Sequence, residues 1–139
     1  MKKNHFTGGW AAAGQFLNAF TRRDFAALSS CFDPAVRFRA LVPPGVVTTV
    51  GAAETARQFE QWFGGMDVFD VVDASIGQLG DRLYLRWRVR MHAPTNPEAA
   101  RVVEQHAFAT ASERIHVVDL LCSGFQTEVP TLERTETKR

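Results

Sequence analysis

Between Arg82 and His92 the chain alternates without a break. Leu83, Leu85, Trp87, Val89 and Met91 fall on one side, and Arg82, Tyr84, Arg86, Arg88, Arg90 and His92 on the other. Successive side chains point to opposite faces only in a strand, so this stretch is a strand with one apolar and one polar face. The apolar face has to be covered, and the N-terminal half carries matching material. Trp10, Ala13, Phe16, Leu17 and Phe20 recur at helical spacing, as do Ala52, Ala56, Phe59 and Phe63, with Trp62 flanking. Between them Asp24 is suited to cap a short helix with a stripe of Phe25, Leu28, Cys31 and Phe32. Asp33-Pro34 stops that helix, because a residue before proline avoids the helical region. Gly64-Gly65 ends the third helix, where glycine takes a left-handed cap without strain.

The remaining segments read as strands. Val36 to Leu41 alternates, Pro43-Pro44-Gly45 turns the chain, and the β-branched run Val46 to Val50 pairs back. Phe69 to Leu79, Arg82 to His92, Val102 to Thr110 and Arg114 to Ser123 follow, joined by Gly80-Asp81, the loop Pro94 to Pro97 and the turn Ala111-Ser112-Glu113. Helices come early and an antiparallel meander late. The expected fold is an α+β domain with helices covering one sheet face.

At 139 residues the chain makes one domain, expected over residues 1–126, with a polar tail over 127–139. A net charge of +1 argues against a nucleic-acid binder, and no apolar run is long enough to span a membrane. The start lacks the apolar stretch of a secretory signal, so a cytoplasmic location is expected. Cys31 and Cys122 lie in no CxxC and have no histidine at metal spacing. Free thiols are expected, with a disulfide between them left open; neither metal nor cofactor is implied.

Several phrases carry a family likeness in this order: Phe16 to Leu28, Phe32 to Phe38, Gly51 to Ala56 leading into Phe59, and His106 to Thr110 followed by Arg114 to Val118. Together they resemble the nuclear transport factor 2-like superfamily, in its SnoaL-like (polyketide-cyclase-like) and ketosteroid-isomerase-like branches, over about Gly9 to Gln126. The resemblance implies a cone: a curved antiparallel sheet wrapped around three helices, with an apolar pocket between them. It also implies homodimers joined through the outer sheet face, where Tyr84 and the arginines of the alternating strand would lie.

The resemblance also assigns positions. The isomerase base falls on Arg39, which is always protonated and cannot abstract a proton, and the isomerase tyrosine falls on Phe16. The late-strand acid falls on Glu104, which matches in type. The cyclase aspartate falls on Leu120, with Asp119 beside it on the opposite face. Glu104 and His106 leave one face of a strand together with Val102 and Phe108, and that face is expected to point inward. A carboxylate and an imidazole in an apolar pocket suit proton transfer, so Glu104 and His106 are the expected catalytic pair. Arg39 would clamp a ligand anion or pair with Glu104. Phe16, Trp62, Trp87, Phe108 and Cys122 would line the pocket. The function expected is a small-molecule-binding protein for an apolar ligand, with acid/base chemistry of isomerase, cyclase or hydrolase type. The alternative is a non-catalytic ligand-binding or dimerisation module.

Overall fold

The computed structural model describes residues 4–128, so positions 129–139 of the expected tail lie outside the described residues. Helix α1 (Asn4–Thr21) presents Ala12, Ala13, Phe16, Ala19 and Phe20 to the core, while Trp10 stays 39% exposed and donates to Gln78 Oε1 at 2.7 Å. α1 ends in a Schellman motif: Asp24 N–H bonds Ala19 O and Arg23 N–H bonds Phe20 O. The left-handed position in it is filled by Arg23, at φ 53°, where glycine is usual. Its guanidinium donates to the carbonyls of Phe63 and Met66 at 2.9 and 2.8 Å and lies over the Phe69 ring. These contacts offset the backbone strain.

Asp24 caps α2 (Phe25–Ser30), accepting from Ala27 N–H at 3.1 Å as its sequence position predicts. The helix is shorter than expected. Cys31 is its C-cap, and Phe32 already begins β1 (Phe32–Val42), because its amide-bearing neighbour Cys31 gives its carbonyl to Ile115 rather than to a helical turn. β2 (Gly45–Val50) pairs back on β1, and α3 (Ala52–Phe63) buries Thr55, Ala56, Phe59 and Phe63. Gly64 ends α3 with a helical φ of −68°, not a left-handed one. Glycine is required there by close approach, since a Cβ would sit 2.7 Å from the Glu60 carbonyl oxygen.

β3 (Val68–Leu79), β4 (Arg82–Ala93), β5 (Asn96–Ala111) and β6 (Ile115–Cys122) follow, with β7 (Gln126–Thr127) beside β5. β5 begins at Asn96, inside the expected loop, since only Pro94 and Thr95 are needed to turn the chain. The sheet order is β2-β1-β6-β5-β4-β3. All pairs are antiparallel except β1 with β6, so the curved, unclosed sheet is mixed. The resemblance had implied an antiparallel one. Leu83, Leu85, Trp87, Val89 and Met91 are all buried under the helices, as the alternation requires. Trp87 meets the rings of Phe16 and Phe20 at 5.4 and 5.1 Å, and Phe59 packs on Phe16 at 5.6 Å. Each such buried ring contributes roughly 1.5–3 kcal/mol.

Candidate functional site

The interior of the cone is filled. Phe16, Phe32, Phe59, Leu85 and Trp87 leave only about 10 Å³ among them, at the limit for a single water. Phe16 at 4% and Trp87 at 0% exposure are therefore core residues and line no open pocket. Small residues on β5, Ala107 and Ala109, make room for these rings.

Two polar side chains are fully buried among the described residues: Thr55, which bonds the Thr49 hydroxyl at 2.7 Å, and Gln105. Gln105 is fully buried opposite Trp87, and its Oε1 accepts from the indole N–H at 2.8 Å. Its Nε2 donates to Cys122 Sγ at 3.3 Å, and Gly124 N–H donates to the same sulfur at 3.4 Å. Cys122 is half-buried and unpaired, and so is the buried Cys31, whose thiol pKa is pushed up by burial. Sequence reasoning missed Gln105, because a polar residue between Glu104 and His106 is indistinguishable from a solvated one until its strand partner is known.

Cys122 opens onto a cavity of about 530 Å³ at the mouth of the cone, where β1 and β6 end. Val42, Pro43, Trp62, Phe125 and Gln126 form its wall with Cys122. Among the described residues no Asp, Glu, Lys, Arg or His lines it. Trp62 and Cys122 are thus the two expected pocket residues that the structure brings together. Phe125 and the prolines were not foreseen as lining; the Pro-Pro-Gly run signals a turn, and nothing local shows what the turn faces. Gly124, at φ +90°, lets the chain pass Pro43, whose Cγ would stand 2.8 Å from a Cβ there.

Glu104, His106 and Phe108 lie on the opposite, outer face of the sheet. Buried Val103, Gln105, Ala107 and Ala109 take the inner face of β5, so the expected inward orientation is reversed. Pairing with β4 fixes this: Trp87 stands opposite Gln105 and Leu85 opposite Ala107, and paired residues share a face. On the outer face the two residues join a chain of contacts. Tyr84 hydroxyl meets His106 Nδ1 at 2.5 Å, His106 Nε2 meets Glu104 Oε2 at 2.7 Å, and Arg88 donates to Glu104 Oε1 at 2.9 and 3.1 Å. A carboxylate only accepts, so the neutral ring donates from Nε2 and accepts from Tyr84 at Nδ1. Hydrogen bonding from Arg88 holds the Glu104 carboxyl below the usual range, against a smaller opposing effect of burial and with help from His106. Phe108 stacks on Tyr84 at 5.0 Å between centroids.

Arg39 also faces out, with 69% of its side chain exposed, and pairs with Asp119 at 2.8 Å rather than with Glu104 or an enclosed ligand. Asp119 bridges to Arg82 at 3.2 Å. Its carboxyl pKa is lowered: burial pushes it up, but the hydrogen bonds from Arg39 and Arg82 outweigh this. Leu120 is buried on the inner face and offers no acid there. Of the arginines of β4, Arg86 pairs with Asp73, Arg88 with Glu104 and Arg90 with Glu128, while Arg82 shares Asp119 with Arg39. Beside Arg39 and Asp119 lies a shallow hollow of about 370 Å³ walled by Leu41, Val46, Phe108 and Leu121.

The SnoaL-like domain family model matches residues 13–118. No curated protein sequence matches the chain. Among solved structures the chain is similar to a candidate polyketide cyclase from Xanthomonas campestris pv. campestris (TM-score 0.67, 16% identity, covering 94% of this chain and 96% of that one). It is similar to an LEH-like epoxide hydrolase from M. tuberculosis (TM-score 0.64, 17% identity, 84% of each chain). A hypothetical protein with a ketosteroid isomerase-like fold from Catenulispora acidiphila DSM 44928, in complex with trimethylamine, is also similar (TM-score 0.63, 15% identity, 81% and 85%). At these identities the likeness establishes the fold.

Proposed function

Given that this chain belongs to the SnoaL-like domain family, we propose that it binds a small, neutral, apolar molecule at the mouth of the cone. The observation that carries this reading is the cavity of about 530 Å³ bounded by Trp62, Phe125, Val42 and Cys122, beside an interior too full to admit a ligand. The wall offers aromatic and proline surface for contact, with the Cys122 thiol and the Gln126 amide as its polar handles. A charged ligand would find no counter-ion there among the described residues. Titration with Nile red, a neutral environment-sensitive dye, tests it. Saturable binding should weaken about tenfold or more in Trp62→Ala, since one buried ring carries roughly 2 kcal/mol. Equal affinity in the variant would place the dye elsewhere and refute the reading.

The outer face supports a second role, as the contact between two copies of the chain. Leu41, Val46 and Leu121 are 53%, 67% and 50% exposed around Phe108, and Arg39 beside them is held by Asp119. On this reading Glu104 and His106 order that face rather than transfer protons, which is the non-catalytic alternative. Sedimentation should give a dimer at micromolar concentration and a monomer for Leu121→Glu. A monomeric unmodified chain would refute it. The free thiols Cys31 and Cys122 suit a reducing, cytoplasmic setting.

A further inference from the structure

We propose that Ser112, His116 and Asp33 form a nucleophilic triad, outside the cone, that takes a small acyl group from an activated ester. They lie at the start of β1 and β6, the opposite end of these strands from the mouth. The site is therefore independent of ligand binding there. Three elements bring them together. Ser112 sits in the turn after β5, held by its N–H to Arg114 O at 3.0 Å. His116 is the second residue of β6, and Asp33 the second of β1. β1 and β6 run parallel with Phe32 beside Ile115, and the pairing is irregular from there to Arg37 beside Val117; Asp33 and His116 lie in that irregular stretch.

Ser112 Oγ lies 2.8 Å from His116 Nε2, and His116 Nδ1 lies 3.6 Å from Asp33 Oδ1. The other carboxylate oxygen, Oδ2, accepts from Ala35 N–H at 2.9 Å, which fixes the carboxylate with Oδ1 toward the ring. Of the two neutral tautomers of the ring, the carboxylate selects the one with its proton on Nδ1. Nε2 is then a free lone pair aimed at the serine hydroxyl. A nucleophile within hydrogen-bond reach of a base, itself oriented by a third group, is the arrangement that activates serine. The gap of 3.6 Å is longer than a hydrogen bond; attraction to Asp33 grows as the ring gains a proton and becomes a cation.

The chemistry balances as follows. Ser112 Oγ bonds to the ester carbonyl carbon while its proton passes to Nε2 and the carbonyl π pair moves onto oxygen. Collapse of that oxyanion breaks the bond to the leaving group, which departs with that bond's electron pair; the Nε2 proton passes to it, or to water where it leaves as a stable anion, and acyl-Ser112 remains. Water, deprotonated by Nε2 once the ring is neutral again, attacks the acyl carbon and releases a carboxylic acid and free serine. His116 and Asp33 are 42% and 33% exposed, so among the described residues access is open and no wall encloses a large substrate. The substrate class is a small acyl aryl ester or thioester, whose leaving group departs readily.

The full-length chain treated with 4-nitrophenyl acetate tests this. Expected are a burst of nitrophenolate of one equivalent per chain and an acetyl group mapped by mass spectrometry to Ser112. Ser112→Ala should abolish the burst. His116→Gln should slow acetylation about a hundredfold or more, and Asp33→Asn about tenfold or more. Mapping on the unmodified chain stands independently of how any variant folds. Acetyl groups found on lysines or other residues with Ser112 unmodified would overturn the proposal. So would acetylation of His116→Gln at the rate of the unmodified chain.

Discussion

The contact between Trp87 and Gln105 makes a double-mutant cycle informative. Both residues are 0% exposed and joined by one 2.8 Å bond from indole to amide. Trp87→Phe removes the donor and leaves the Gln105 carbonyl oxygen without its partner inside the core, at a cost of about 1–3 kcal/mol. The smaller ring adds about 1 kcal/mol of lost burial. Gln105→Leu keeps the volume but strands the indole N–H, again costing about 1–3 kcal/mol, and also removes the donor to Cys122 Sγ. In Trp87→Phe/Gln105→Leu neither orphan remains. That variant should lose only about 1–2 kcal/mol, less than the sum of the two single changes by about 2 kcal/mol or more. Urea denaturation with a constant m-value reads these differences as shifts of midpoint. Costs that add to within about 0.5 kcal/mol would show that the pair is not coupled, and the argument from buried hydrogen bonding would be wrong.

Three further outcomes are expected. Arg23→Ala should destabilise by about 2–3 kcal/mol in thermal denaturation, losing the bonds to Phe63 and Met66 while retaining backbone strain; Arg23→Gly should cost about 1 kcal/mol less, because it relieves that strain. Gly124→Ala should cost about 1–3 kcal/mol and weaken dye binding at the mouth, since a Cβ there meets Pro43. The carboxyl groups of Glu104 and Asp119 are both held below their ordinary range in the folded chain. Their stabilisation is therefore complete above that range and lost as pH falls through the lowered values. The urea midpoint should drop between pH 5 and about pH 2 more steeply for the unmodified chain than for Glu104→Gln/Asp119→Asn; parallel profiles would contradict the assigned ion pairs.

The sequence made the helices and β4 legible because their apolar spacing is regular and their burial is complete. β5 was not legible, for a physical reason. Its inner face carries Gln105, Ala107 and Ala109, small or hydrogen-bonded residues required by the rings packed on them, and its outer face carries Val102 and Phe108. Hydrophobicity alone therefore points the wrong way. The turn that follows gives no cue. Ala111 stands opposite Ile115, and a regular hairpin continued from there would set Phe108 opposite the buried Val118; an irregularity between Thr110 and Ala111 shifts the register, so that Phe108 faces Asp119 and Ala107 faces Leu120. Trp62 and Cys122 were recognisable as residue types suited to a pocket wall. The mouth they share with Phe125 depends on where β1 and β6 end in space, which no local pattern encodes.

The parallel pairing of β1 with β6 also governs how the chain folds. Arg39 and Asp119, which sit side by side, are separated by 80 positions. Until β6 is made, the β1–β2 hairpin has one neighbour and the β3–β4–β5 meander stands apart, each with aromatic-facing surface uncovered. Closing a loop of that length costs entropy before any sheet contact repays it. Folding should accordingly be slow and all-or-none, and its rate should respond to substitutions in β6 such as Leu120→Ala. A chain stopped before Ile115 would hold two sheet fragments with no strand between them, linked only through the helices and exposed to association with one another's copies.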